Sequence, residues 1–201
     1  MFTDLILILL TLLIILIGVV SLSILYSTWR YGIPPVPTSR KRIQQMIDLA
    51  DIKSGMKIYD LGCGDGRILR AVSHQLSTGV DPGAVKLIGV EGNPTIAWIA
   101  KILNLLTRDS TPPHQQIEIL QGDFFKIDLS QADVIFCYLR PTIMKPIKTK
   151  IWPHLKGGCQ IISHSFSLEF EEAKSLEVSK GVKIYKYVKP GHKKQKPLKT
   201  T

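Results

Sequence analysis

Asp60-Leu61-Gly62-Cys63-Gly64-Asp65-Gly66 joins a short apolar run, Met56-Lys57-Ile58-Tyr59, to a helical pattern, Arg67-Ile68-Leu69-Arg70-Ala71-Val72. Strand, glycine-rich turn and helix in this order predict the first unit of an open α/β sheet, with a nucleotide-sized pocket beyond the strand's carboxyl end. Gly62, Gly64 and Gly66 can take positive φ and let a ligand approach bare backbone. The spacing is G-x-G-x-G with an acid, Asp60, two residues ahead of the first glycine. The dinucleotide pattern would be G-x-G-x-x-G, and here its third glycine is replaced by Arg67.

Outward from this turn, strand and helix patterns alternate. Lys86 to Glu91 reads as a second strand, Ile96 to Leu106 as a helix and Ile117 to Gln121 as a third strand. Asp133 to Tyr138 reads as a fourth strand, Thr142 to Leu155 as a helix interrupted by Pro146 and Pro153, and Cys159 to His164 as a fifth strand. Thr107 to Gln116, with Pro112-Pro113, reads as a loop. This alternation predicts a mostly parallel sheet with crossover helices. Ser175 to Val178 and Val182 to Val188, joined by Ser179-Lys180-Gly181, read as a closing hairpin. Upstream, Thr38 or Ser39 can cap a helix through Ile43, Met46, Ile47 and Leu49-Ala50, which Lys53-Ser54-Gly55 is expected to end. The chain has no internal repeat.

In a doubly wound sheet the ligand lies across the carboxyl ends of the strands. Glu91, in Gly89-Val90-Glu91-Gly92-Asn93-Pro94, stands after the second strand, where a carboxylate can accept both hydroxyls of a ribose. Gly122-Asp123-Phe124 follows the third strand. The glycine turn with its preceding acid resembles motif I of the class I, S-adenosylmethionine-dependent methyltransferases, and the order and spacing of Glu91 and Asp123 agree with that group. The resemblance implies S-adenosyl-L-methionine as cofactor, an antiparallel last strand in a Rossmann-like sheet, and Asp123 on the adenine amino group with an apolar neighbour against the ring.

A closer resemblance covers Pro34 to about Gly158. Pro35-Val36-Pro37-Thr38-Ser39, Met46-Ile47-Asp48-Leu49-Ala50, Tyr59 to Arg67 and Gly89 to Pro94 are similar to the small membrane-anchored lysine methyltransferases related to the ATP synthase c subunit enzyme. That group uses the Pro-Thr segment near cofactor and substrate. The cofactor-binding set implied is Pro37, Thr38, Asp60, Gly62, Cys63, Gly64, Gly66, Glu91, Asn93, Asp123 and Phe124. The chain departs from the group at Cys137-Tyr138-Leu139-Arg140-Pro141 and His164-Ser165-Phe166, which leaves the acceptor open.

The N-terminus carries the strongest apolar signal. From Leu5 to Tyr26 there is no charge, and the polar residues are Thr11, Ser21 and Ser23. The run is long enough for the roughly 20 residues that cross a bilayer. A signal peptide would need a basic start and a shorter core; here the early charge is Asp4. Arg30, Arg40, Lys41 and Arg42 follow the run, so the positive-inside rule puts the large domain on the cytoplasmic side. The expected organisation is a transmembrane anchor over residues 1–30, a proline-rich linker over 31–37, a methyltransferase domain over 38–190 and a basic disordered tail over 191–201. The expected partners are the lipid bilayer and a membrane-protein substrate.

Of 201 residues, 45% are hydrophobic and 21% charged, with a net charge of +10. From Lys183 onward there are seven lysines and no acid. Such a run reads as solvated chain or as attraction to anionic lipid, worth roughly 1 kcal/mol per basic residue near the surface. Nucleic acid is not expected, because Tyr185 and Tyr187 are the only aromatic residues interleaved with it. Cys63, Cys137 and Cys159 are odd in number and lack C-x-x-C spacing, and the five histidines are scattered. Neither disulfides nor a metal site is expected.

Methyl transfer from a sulfonium needs no nucleophilic triad, and none is present. Positioning and water exclusion can supply roughly 7–11 kcal/mol of barrier lowering. A lysine acceptor must be neutral, which burial in an apolar channel favours. Tyr138, at the end of the fourth strand, is the candidate catalytic residue lining that channel; His164 is a candidate proton acceptor or a structural histidine. The alternatives left open are a lipid or small lipophilic acceptor, an NAD-dependent oxidoreductase, and a non-catalytic membrane adaptor.

Overall fold

The computed structural model describes residues 2–31, 37–77, 85–107, 117–169, 174–179 and 182–191. A long helix, α1 (Phe2–Tyr31), precedes α2 (Arg40–Ala50), β1 (Lys57–Leu61), α3 (Arg67–Ser77), β2 (Lys86–Glu91), α4 (Pro94–Leu106) and β3 (Ile117–Gln121). Then follow a 3-10 turn (Phe124–Lys126), β4 (Val134–Cys137), α5 (Pro141–Pro146), β5 (Gln160–His164), β6 (Lys174–Ser179) and β7 (Val182–Val188). One sheet runs in the order β3-β2-β1-β4-β5-β7-β6. The first five strands are parallel, and β7 enters antiparallel to both β5 and β6. This is the doubly wound sheet the sequence predicts, with its order reversing between β1 and β4.

Side-chain parity sorts the core into two layers. Ile58, Leu87, Phe136 and Ile162 face α2, α3 and α4, meeting Ile43, Met46, Ile47, Leu69 and Val72. Tyr59, Leu61, Val90, Ile135 and Ile161 face the other way, onto Met144, Ile147, Ile151 and Leu155. Burial on both faces explains why β1, β2, β4 and β5 read as apolar runs rather than alternating ones. Asp133 joins the amino ends of three strands. Its carboxylate accepts from Lys57 N at 2.8 Å and pairs with Lys156 Nζ at 2.6 Å, while its carbonyl accepts from Gln160 N.

Several boundaries differ from the sequence reading. β1 runs on through Asp60 and Leu61, so Asp60 is a strand residue paired with Gly89 and Phe136, not part of the turn. α2 ends at Ala50, where Asp51 takes φ 46, earlier than the expected stop at Lys53-Ser54-Gly55. Ser39 occupies the N-cap position without a side-chain hydrogen bond. The helix expected over Thr142 to Leu155 is three pieces: α5, a π turn over Ile147–Ile151 and a 3-10 turn over Trp152–His154. Pro146 and Pro153 lack the N–H that would continue an α ladder, so the chain winds wider and then tighter around them. Lys183 and Lys186 belong to β7, and Lys186 Nζ donates to Leu49 O at 2.6 Å. The loop after Thr107, most of the linker, the hairpin turn at 180–181 and the tail beyond 191 lie outside the described residues.

Within α1, Phe2–Ser23 forms a 22-residue stretch of mean hydropathy 3.3 that the other described residues leave largely uncovered. By length and composition it can cross a bilayer.

Candidate active site

The glycine turn leaves the sheet at Leu61 and returns as α3. Gly62, Gly64 and Gly66 have φ of 71, 58 and 78, the left-handed region that side chains disfavour. A Cβ on Gly62 would stand 2.8 Å from Leu139 Cδ2, whereas Gly64 faces open space. Gly62 N and Cys63 N both donate to Val90 O, which pins the turn to β2. Asp65 clasps the start of α3: its carboxylate accepts from Arg67 Nε at 2.9 Å and Nη2 at 2.8 Å, and its carbonyl accepts from Arg70 Nη1. Arg67 Nη1 also reaches Thr38 O at 3.3 Å, bringing the buried Thr38 to the turn with the exposed Pro37 beside it.

Glu91 is the hub. Oε2 accepts from Gly64 N at 3.0 Å and Oε1 from Asn93 N at 2.8 Å. Each oxygen keeps a second lone pair, so the carboxylate can still receive two hydroxyls. Asp123 is exposed at the tip of β3 and its Oδ1 accepts from Phe125 N at 3.0 Å, making it the cap of the 3-10 turn. Phe124 is half-buried beside it, with its ring 4.6 Å from that of Phe125.

Asp60 is 1% exposed, and its Oδ2 has no hydrogen-bond partner among the described residues. Burial, then the carboxylates of Glu91 and Asp65, push its pKa up to about 8. Such a carboxyl ionises readily only when a cation arrives. Together the acids and the bare turn make a cradle for a nucleoside-sized ligand with a positive centre.

The charge of Asp60 has a measurable consequence. Unfolded, it titrates near 3.9; folded, it holds its proton to about pH 8. The native state therefore binds the extra proton, and stability falls as pH rises through that window. His164, lowered to about 4 by burial and then by Arg42, works in the opposite sense below its ordinary value of 6.5. Asp60 therefore dominates between pH 6.5 and 8, where the ligand-free protein should lose about 2 kcal/mol. Denaturant titrations of Asp60→Asn should show a flat profile there.

Two sequence assignments look different in space. The Asn93 carboxamide is spoken for: Oδ1 accepts from Ile96 N at 3.0 Å, capping α4, and from Ser23 Oγ at 3.0 Å, while Nδ2 donates to Ser23 O at 3.1 Å. Only its backbone N–H, on Glu91, serves the cradle. The Cys63 side chain turns inward against β2, and burial pushes its thiol well up from the usual range. Its neighbour there is Gly89, which the sequence reading treated as plain strand. A Cβ on Gly89 would lie 2.8 Å from Cys63 Sγ and 2.9 Å from Ile119 Cδ1, so only glycine lets the turn settle. A glycine inside a strand pattern was the available signal.

Beyond β4 and β5, Tyr138 is half-buried. Its ring meets His164 edge-on at 4.3 Å and lies near-parallel to Phe166 at 6.4 Å. His164 is fully buried; Nδ1 shares a 2.8 Å hydrogen bond with Ser165 Oγ, and Nε2 has no partner among the described residues. Ser165 holds φ 67, strained for a non-glycine residue. An imidazole with a pKa near 4 cannot retain a proton taken from an amine. It is a neutral polar neighbour, which favours the structural-histidine reading over the proton-acceptor one.

Residues 60–174 match the ANTKMT methyltransferase domain. The chain is 30% identical over 165 residues to a protein-lysine N-methyltransferase of Saccharolobus islandicus, covering 80% of this chain and 96% of that one. It is 25% identical to the human ATP synthase c-subunit lysine N-methyltransferase over 67% of its own length, spanning about half (52%) of that relative. Among solved structures, an RNA methyltransferase from Salinibacter ruber in complex with S-adenosyl-L-homocysteine superposes with a TM-score of 0.66 at 25% identity. That alignment covers 80% of this chain and 98% of the other.

Proposed function

Since the chain belongs to the ANTKMT methyltransferase family and is an S-adenosylmethionine-dependent methyltransferase, we propose that it methylates lysine side chains of a membrane-resident protein, held beside it by α1. The observation that carries the lysine assignment is the near-complete coverage of the archaeal protein-lysine enzyme. The aromatic wall of Tyr138 and Phe166 supports it, and the uncovered Phe2–Ser23 stretch supports the anchor. Arg40, Lys41 and Arg42 downstream of that stretch favour a cytoplasmic catalytic domain.

The cradle fits the donor. Asp60 has the unpartnered buried oxygen a cationic ligand would satisfy, and Gly64 leaves the approach to the turn bare. Glu91 would take the ribose hydroxyls, Asp123 the adenine amino group and Phe124 the ring face, with Pro37 and Thr38 closing the other side. When bound, the donor supplies a methyl carbon already activated by positive sulfur. The chain's own task is to present a neutral amine in line with it. Tyr138 and Phe166 line an apolar approach that disfavours the ammonium form, and the neutral His164 adds no repulsion. The amine must shed its proton before transfer, because methylation uses its lone pair.

Labelled methyl transfer into membranes, with protein, lipid and RNA then separated, tests the acceptor. Label in protein that survives delipidation and is recovered as methyllysine is expected. Label confined to lipid would favour the lipophilic-acceptor reading, and label in RNA would align the chain with the activity named for its Salinibacter ruber neighbour.

A further inference from the structure

α4 is a solvent-facing helix of unusual composition. Its thirteen residues carry one charge, Lys101, and bury only Ala97 and Ala100 fully. Trp98 is 58% exposed, Leu105 65% and Leu106 73%. With the half-buried Ile102 they fall at i, i+4, i+7 and i+8, one continuous apolar stripe on the face away from the sheet. Single exposed leucines need no explanation, but a stripe headed by tryptophan does.

What covers it follows from the helix's neighbour. Asn93, the N-cap of α4, is hydrogen-bonded through both carboxamide atoms to Ser23, the last residue of the Phe2–Ser23 stretch. At 1.5 Å per residue, that stretch spans about 33 Å, close to the hydrocarbon thickness of roughly 30 Å. The uncharged run continues to Tyr26, so Ser23 lies within one helical turn of its end, about 4.5 Å from the headgroup boundary, and the start of α4 is held near it. Trp98 lies five residues on, at most about 7.5 Å along the axis. With α4 parallel to the surface it stays in the interfacial layer, the depth that tryptophan favours. Leu105 and Leu106 reach that layer only if α4 lies flat. The one charge on the helix, the exposed Lys101, is basic and suits anionic headgroups.

We infer that α4 lies flat on an anionic bilayer surface, with the Trp98–Leu105–Leu106 stripe in the headgroup layer. The Ser23–Asn93 seat then holds the Glu91 cradle, two residues from the cap, facing the membrane. This rests on the membrane-anchor reading above and extends it. The acceptor lysine would lie within a few residues of the bilayer surface, not on an extended soluble domain.

The test uses the full chain in phosphatidylcholine vesicles with a phosphatidylglycerol fraction, the lipids brominated at upper acyl carbons. Reporters are Trp98 alone (Trp29→Phe, Trp152→Phe) and, with Trp98→Phe added, Leu105→Trp or Leu13→Trp. Flotation and quenching at position 13 test the anchor. Quenching at 98 and 105, about twofold or more with a blue shift, is expected for an interfacial helix. Flotation with 13 quenched but 98 or 105 unaffected overturns the flat placement while leaving the anchor intact. Failure to float, or no quenching at 13, removes the anchor and this inference with it.

Discussion

Glu91→Ala should lower affinity for S-adenosylmethionine by roughly 100-fold, because one carboxylate both shapes the cradle and, in the proposed site, meets the ribose. Its two oxygens hold Gly64 N and Asn93 N at 3.0 and 2.8 Å. Hydrogen bonds to a charged group contribute about 1.5–3 kcal/mol each, so losing them with the proposed ribose contacts costs about 3 kcal/mol or more. Glu91→Gln keeps one acceptor and turns the other position into a donor facing an N–H, so an intermediate loss of about tenfold is expected. Titration calorimetry reads both. The substitutions also remove the second-largest influence raising Asp60. Its titration should move down in Glu91→Gln, which a purely structural loss would not produce. Wild-type affinity in Glu91→Ala would refute the placement of the ribose at the tip of β2.

Tyr138→Ala should act on turnover instead. The ring fills the space between His164 and Phe166 at the ends of β4 and β5. Without it the acceptor amine loses its apolar wall and its aim, and misplacement by about 1 Å can cost 100-fold. A kcat lower by about 100-fold with donor affinity changed by no more than a few-fold is expected from steady-state kinetics. Tyr138→Phe should stay within about tenfold, since the ring matters more than the hydroxyl. If Tyr138→Phe falls as far as Tyr138→Ala, the hydroxyl takes part in the reaction and the wall is not its main contribution.

The fold was legible because a doubly buried parallel sheet leaves plain marks: apolar strands, a glycine turn, and helices whose apolar spacing matches one face. β2, β3 and β7 have the bounds the residues predict. Two kinds of feature escaped. Where proline met a helix pattern the interruptions at Pro146 and Pro153 were legible, but not that the chain switches to π and then 3-10 winding without leaving the helical direction. Long-range packing was silent altogether. That Gly89 must yield to Cys63, that Asp65 clasps Arg67, and that Asn93 binds Ser23 depend on how the folded elements meet. The site's composition could be read, whereas its division of labour could not. Asn93, read as a ligand contact, caps α4, and of the two readings open for His164 its burial favours the structural one.

Tandem mass spectrometry of membrane proteins from cells with and without the chain bears most directly on the central claim. The account expects specific lysines of a membrane-embedded protein, close to the bilayer surface, to carry one to three methyl groups only when the chain is present and Glu91 is intact. Identical lysine methylation in both samples, with a lipid or an RNA base losing its methyl group instead, would contradict it.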